Sequence, residues 1–282
     1  MLAPNQLGVG AKGGAEAVIH AARLYLQNMD ADRAFVKVDF SNAFNSVRRD
    51  VILEAVAFHR PDLLGFATSA YGSSSQLWAG DVCLSSSEGV QQGDPLGPLL
   101  FSLALDDTLK TTRSEFMAGY LDDISIGDTV PRLIDQVRGL EAAALAVGLR
   151  LNHAKCEIIG LSASCLETWN AAGFMFAVRP IEEASLLGSP IHIAGVDDAI
   201  TVRLDQLVEI VERLQKMSAH EAFFLLKSCF AMPRLIYLLR SAPCSPSNVL
   251  AQIGEVVIRT LANVRFQPEA WSQSSLPVRW GV

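Results

Sequence analysis

Two aspartates stand side by side where two apolar strands must turn back on each other, and this constrains the chain's fold more than any other feature. Phe116 to Ile126 reads as a hairpin with Leu121-Asp122-Asp123 at its tip. Adjacent carboxylates at a tight turn repel, and a divalent cation is an effective way to hold both ionised. Taken alone, such a pair is also what a solvated turn carries. A second strand changes the weight of the pair. Ala34, Val36, Val38 and Phe40 alternate with Phe35, Lys37 and Asp39. One face of that strand is apolar and buried, and the other delivers Asp39 at its end.

Three carboxylates on two strands suit magnesium, which takes a few carboxylates plus substrate phosphates in preference to a full protein cage. Two such ions, roughly 3.5–4 Å apart, can activate a 3′-hydroxyl and stabilise a leaving pyrophosphate. Phosphoryl transfer asks the protein for little beyond positioning and charge.

The rest of the chain supplies the frame. Gly8 to Gly13 fits G-x-G-x-x-G, but no strand precedes it, so it reads as a lead-in to a helix from Ala15 to Asn28 and not as a dinucleotide site. Val18, Ala21, Ala22 and Tyr25 lie on or near one face of that helix. Ile52, Val56 and His59 mark a helix ended by Pro61. Gln76 to Leu84 reads as a hairpin turning at Gly80-Asp81. Asp94 and Pro95 are expected as N-cap and first residue of a helix carrying Leu99, Leu100, Leu103 and Ala104. Leu133 to Val147 is a helix closed by Gly148, and a short strand runs from Cys156 to Ile159. Beyond Gly160 the spacing of Leu204, Leu207, Val208, Val211 and Leu214 makes an amphipathic helix. Glu221 to Met232 is a largely apolar helix stopped by Pro233, and Leu250, Ile253, Val257 and Leu261 mark another. The composition turns from mixed α/β to nearly all helix near residue 200, where a domain boundary is expected.

Composition narrows the function classes. No apolar run approaches the roughly 20 residues of a membrane helix, so no membrane partner is expected. Nor does the N-terminus read as a signal peptide. The five cysteines, at 83, 156, 165, 229 and 244, form no C-x-x-C pair, so reduced thiols in an intracellular protein are expected and a zinc site is not. A net charge of −7 weighs against binding nucleic acid by bulk electrostatics but leaves room for a local basic groove.

Four segments occur in order: Lys37 to Val47 around Asp39, Gln91-Gln92-Gly93-Asp94-Pro95 through Phe101, Ala118 to Asp123, and Gly148 to Cys156. In that order and spacing they resemble the successive palm motifs of reverse transcriptases, and the flanks resemble the non-LTR retrotransposon enzymes. Upstream, Gln6 to Gly10 and Gly14 to Ala21 look like a late fingers segment. Downstream, Leu186 to Ile191 looks like the primer-grip strands, and Trp271 to Val278 like a thumb-end signature.

The resemblance implies an α/β right-hand palm, its small antiparallel sheet backed by helices, followed by a helical thumb. Residues 1–33 would be residual fingers, 34–200 palm and 201–282 thumb-like. It makes Asp39, Asp122, Asp123 and the Phe40 carbonyl ligands of two Mg2+ or Mn2+ ions. Phe44 would close the floor under the incoming sugar and exclude a 2′-hydroxyl. Gln92, Gly93 and Tyr120 would line the nucleotide site. Lys155 would protonate or neutralise the leaving pyrophosphate, with Asn152 bracing the same turn. The implied partners are an RNA template, a DNA primer and deoxynucleoside triphosphates. The residues alone leave Phe44 open to being a core aromatic and Lys155 to being a surface lysine. Only 38 residues precede Asp39, and neither Lys12 nor Arg23 replaces the basic fingers residues that grip the triphosphate. The chain carries no endonuclease region and stops at Trp280-Gly281-Val282, so a truncated copy is expected. The rivals are an inactive relic that binds RNA or protein, and an RNA-dependent RNA polymerase, against which Phe44 argues.

Overall fold

A computed structural model describes residues 2–214, 216–230, 232–243 and 254–255. The chain divides into two compact units, Met1–Ile191 and His192–Val282. The first is a mixed α/β unit whose sheet is backed by helices.

Chain order explains the layering. Helix α1 (Gly14–Gln27) leads into β1 (Arg33–Val38), the central strand. A short α2 (Ala43–Ser46), then α3 (Arg49–His59) and α4 (Leu64–Tyr71), precede the hairpin of β2 (Ser75–Ala79) and β3 (Val82–Ser86). Helix α5 (Gly97–Thr111) is followed by the hairpin of β4 (Phe116–Tyr120) and β5 (Asp123–Thr129), then by α6 (Val130–Ala146). Strand β6 (Glu157–Ile159), α7 (Ala163–Ala171), β7 (Ala177–Arg179) and the small hairpin of β8 (Ser185–Leu186) and β9 (Ser189–Pro190) complete the unit.

The main sheet has the order β4-β5-β1-β6-β7. Strands β4, β5, β1 and β6 pair antiparallel, while β7 adds parallel to β6. The expectation of a wholly antiparallel sheet is corrected there: α7 carries the chain back so that β7 runs in the direction of β6, as parallel neighbours need a crossover.

Period-two alternation on β1 holds for Ala34, Val36, Val38 and Phe40, all buried in one core with Leu100, Leu103, Leu133 and Val137 from α5 and α6. Phe35, on the opposite face, is also fully buried. Helix α1 covers that end of the face, and Phe35 meets Tyr25 at 6.1 Å and Phe116 at 5.3 Å between ring centroids. The cover stops short of Lys37 and Asp39, which stay half-exposed. The face is thus apolar at one end and open at the other.

Two boundary readings are corrected. Helix α5 begins at Gly97, with its early proline at Pro98, and not at Pro95. Asp94 caps a preceding turn instead: its Oδ1 accepts the Leu96 N–H at 2.8 Å and its Oδ2 the Tyr71 hydroxyl.

In the second unit, α8 (Val196–Leu214) is followed by α9 (Ala219–Leu225), a π-helical turn over Leu226–Phe230 and α10 (Met232–Ser241). The compositional boundary near 200 lies inside α8. Ile200, Leu207 and Leu214 form its buried stripe, against Ala222, Leu226, Leu235 and Leu238. Pro233 does not stop the helical run, because it sits in the first turn of α10, where a proline's missing N–H is tolerated. As a result His220–Ser241, 22 residues, is long and apolar enough by length and composition to cross a membrane, which corrects the sequence reading that no such run exists. The expected helix around Leu250 to Leu261 and the Trp271 to Val278 segment fall outside the described residues, Gly254 and Glu255 apart.

Candidate active site

The β1–β5 ladder ends at the pair Val38↔Ile124. One residue further, the register sets Asp39 opposite Asp123. Tyr120 pairs with Asp123 across the β4–β5 hairpin, leaving Leu121 and Asp122 as its tip. Two hydrogen-bonded strands therefore bring together the three carboxylates singled out in the sequence.

Their electrostatics are those of a like-charged group. Burial lifts the Asp122 carboxyl above the ordinary carboxylate range; a bond from its own backbone N–H works against this, and the charge of Asp39 adds to it. Asp123 is exposed as a residue, yet desolvation still leads the rise of its carboxyl, followed by the charges of Asp122 and Asp39, with Lys37 opposing. The Asp39 Oδ2 is buried and has no hydrogen bond. All the donors are hard oxygens, and repulsion among them is relieved by a hard divalent cation.

The backbone of Asp39 is held from across the sheet. Its carbonyl accepts the Asn152 N–H at 2.8 Å, and its N–H lies 3.4 Å from the Cys156 sulfur. Ser41 donates to the Arg150 carbonyl at 2.9 Å, and Phe40 bridges Leu151. The same turn carries Lys155, exposed, with its N–H on the Asn152 carbonyl at 2.9 Å. This segment thus serves as a brace for Asp39 whatever the Lys155 side chain does.

Phe44 sits half-buried on α2, stacked on Phe101 of α5 with ring centroids 4.4 Å apart at 20°. Its carbonyl accepts the Val90 N–H at 2.8 Å. Gly89 has no room for a side chain, since a Cβ would lie 2.4 Å from the Asn45 backbone. The loop that carries Gln92 and Gly93, both exposed, is therefore fastened directly to the Phe44 turn. Beside it opens a cavity of about 830 Å³ whose lining includes Asn45, Gln76, Ser85, Gln91 and Gln92.

Several supports were not singled out from the sequence. Arg49, almost fully buried, donates to the carbonyls of Gly89 at 3.0 Å and Ser86 at 2.7 Å and lies over the Tyr71 ring. Tyr71 accepts the Gln91 N–H at 3.2 Å. Lys37 ion-pairs with Glu157 at 2.6 Å beside the carboxylates. Among the described residues, one trio has ligand atoms all within 4.8 Å of one another, and it is a different one: His59, Asp106 and Asp107. Lys110 ion-pairs with both of those aspartates, so their charge is already met. Asp39, Asp122 and Asp123 are set more loosely.

Comparison with known proteins gives this geometry a family. The model of the family "Reverse transcriptase (RNA-dependent DNA polymerase)" matches residues 2–189, and the chain belongs to that family. It is 27% identical over 296 residues to the "Retrotransposable element SLACS 132 kDa protein" of Trypanosoma brucei gambiense, a match covering 98% of this chain and 24% of that protein. It is 27% identical over 161 residues to the "Retrovirus-related Pol polyprotein from type-2 retrotransposable element R2DM" of Drosophila melanogaster, covering 50% of this chain and 14% of that one. These relatives bear out the resemblance to the non-LTR type. The chain spans about a quarter of the length of the first relative and less of the second. Among solved structures, apo telomerase from Candida tropicalis matches 92% of this chain and 51% of its own, at 11% identity and a TM-score of 0.44.

Proposed function

We propose that the first unit is the palm of a non-LTR retrotransposon reverse transcriptase, which adds deoxynucleoside monophosphates to a primer 3′-hydroxyl against an RNA template. The observation that carries this reading is the convergence of Asp39 with Asp122 and Asp123 at the shared end of two paired strands. Asp39, Asp122, Asp123 and the Phe40 carbonyl hold two Mg2+ or Mn2+ ions. The metal supplies Lewis-acid stabilisation of the charge that develops on the attacking and leaving oxygens.

The chain's own residues do the positioning. Phe44, backed by the fully buried Phe101, forms a floor under the sugar that a 2′-hydroxyl meets by collision. Gln92 and Gly93 lie against the nascent base pair, and Tyr120 borders the nucleotide. Lys155, exposed on the turn behind Asp39, meets the pyrophosphate. The template is read by shape and backbone. The second unit is thumb-like and follows the duplex.

Primer extension on an RNA template, with deoxy- or ribonucleotides and Mg2+ or Mn2+, tests the proposal. The expected result is metal-dependent deoxynucleotide addition that Asp122→Asn abolishes. Extension that survives Asp122→Asn refutes the site. Preference for ribonucleotides moves the reading to an RNA-dependent RNA polymerase. Tight RNA binding with no extension under any metal makes the chain an inactive RNA-binding relic.

A further inference from the structure

The tip that presents Asp122 is not held by its own hairpin. Leu121, between Tyr120 and Asp122, has φ +57°, the left-handed region that a leucine enters only at a cost. Such a turn persists where surrounding structure over-determines it. The surrounding structure here is Gln6, 115 positions away in sequence and fully buried. Its Nε2 donates to the Leu121 carbonyl at 2.9 Å, and its Oε1 accepts the Leu121 N–H at 2.7 Å. The same oxygen also accepts the Gly8 N–H at 2.9 Å.

The segment that bears Gln6 is itself fastened to the edge of the sheet. Gly119 donates to the Asn5 carbonyl at 2.6 Å, and Leu7 donates to the Gly119 carbonyl at 2.7 Å. Gly8 passes so close that a Cβ there would lie 2.5 Å from the Leu121 nitrogen. Both backbone polar groups of Leu121 are thus met by one side-chain amide, as a neighbouring strand would meet them.

We infer that Gln6 is a positioning residue of the carboxylate centre: it holds Leu121 left-handed and so sets the direction in which Asp122 and Asp123 leave the tip. The inference rests on the metal-binding reading above. Gln6 touches neither the metal nor the substrate; it acts through the Leu121 peptide. A side chain that merely filled space there could be apolar, whereas this one bonds three groups of two backbone segments. Without it, the turn relaxes toward right-handed conformations and the two carboxylates lose their common aim.

The test pairs two measurements on the full chain, with Gln6→Met, Gly8→Ala and Asp122→Asn beside the wild type. Met keeps the volume of Gln6 and removes its hydrogen bonds; Ala at position 8 keeps the glutamine but crowds both the Leu121 nitrogen, 2.5 Å from the added Cβ, and the Gln6 Oε1, 2.9 Å from it. Hydrogen exchange followed by mass spectrometry reads the tip, and Mn2+ titration at a temperature where every variant is folded reads the centre. In the wild type the Leu121 amide, outside any strand ladder, exchanges slowly. In Gln6→Met and Gly8→Ala, exchange rises roughly 10- to 100-fold over residues 119–123 while the β1–β5 ladder keeps its protection. Mn2+ affinity falls about tenfold, on the scale of one or two lost hydrogen bonds.

Fast exchange of the wild-type Leu121 amide overturns the inference without need of any variant. So does a Gln6→Met protein whose exchange rises evenly across the sheet, since that is ordinary destabilisation. Unchanged Mn2+ affinity beside a loosened tip also overturns it. A wild type that binds Mn2+ no better than Asp122→Asn fails the metal reading instead, and it removes the centre that Gln6 is said to position even where exchange shows the tip clamped.

Discussion

Replacing Phe44 by alanine separates packing from selection in one residue. The ring is half-buried and stacked on Phe101 at 4.4 Å, and Phe101 is fully buried. Truncating a fully buried phenylalanine costs about 3–5 kcal/mol. Half of that burial, plus a pair contribution of roughly 0.5–1.5 kcal/mol, puts the loss for Phe44→Ala at about 2–4 kcal/mol. For a unit of this size that lowers the melting temperature by roughly 4–16 °C. Thermal unfolding measures this part. The second part is read well below the variant's melting temperature, as the affinities for dATP and ATP with Mn2+ present. The stacked ring cannot swing away without breaking its contact with Phe101, so on the proposed reading a ribose bound by the wild type would have to tilt. Removing the ring should narrow the deoxy-over-ribo preference roughly tenfold, the equivalent of a 1.4 kcal/mol clash. Phe44→Leu should recover most of the stability and part of the preference. A lowered melting temperature with an unchanged preference would reduce Phe44 to core packing. An unchanged melting temperature would refute the stacking argument itself.

Three further outcomes are expected. Millimolar Mn2+ raises the melting temperature of the wild type, because it binds only the native carboxylate group, and Asp122→Asn loses most of that rise; equal shifts in both proteins would remove the metal site. Tyr71→Phe loses a bond to Asp94 and one from the Gln91 N–H, a loss of about 2 kcal/mol in urea unfolding. The Tyr71 hydroxyl is pushed up from 10.0 to about 12, by burial first and by Asp94 second. A raised pKa means that this part of its stabilisation is full below pH 10 and fades as the pH climbs through about 12, a decline that the phenylalanine variant should lack. Arg49→Lys keeps the charge but loses the guanidinium fork that reaches Ser86 and Gly89. It should cost about 2–4 kcal/mol by the same urea measurement, and a cost under about 0.5 kcal/mol would contradict the brace.

What was legible in the sequence is what short-range periodicity and turn chemistry encode. The β1 alternation, the Gly80-Asp81 turn and the hairpin with its paired aspartates all depend on neighbours a few residues apart, and each stands where it was expected. The failures have physical causes. Asp94-Pro95 has the local chemistry of a helix start, but Asp94 is engaged by the Tyr71 hydroxyl and the Leu96 N–H, and the helix waits until Gly97. Pro233 has the local chemistry of a stop, yet it falls in the first turn of α10, where its missing N–H is tolerated. Phe35 alternates as a surface residue and is buried because α1 lies across one end of the face. For Asp94 and Phe35 a partner remote in sequence overrode the local preference.

The centre itself divides in the same way. Its acidic groups can be found from sequence because chemistry demands carboxylates, and clustered carboxylates at a turn are costly enough to stand out. Their supports cannot, since a glutamine, a tyrosine or an arginine declares nothing until its partner is known. Gln6 reaches Leu121 across 115 positions, and Arg49 reaches Gly89 across 40. Like charges at a β-turn do not stay aimed by themselves. Repulsion drives Asp122 and Asp123 apart and away from Asp39, and a left-handed leucine between the strands adds strain of its own. A centre of this kind therefore has to be over-determined from outside: by the amide of Gln6 on the tip, by the Asn152 N–H on the carbonyl of Asp39, and by Lys37 beside Asp123. Those three supports come from three separate stretches of chain. The expected weak point of the centre is accordingly not any single aspartate but the N-terminal segment around Asn5 to Gly8, whose loss would leave all three carboxylates present and the tip that carries Asp122 and Asp123 unheld.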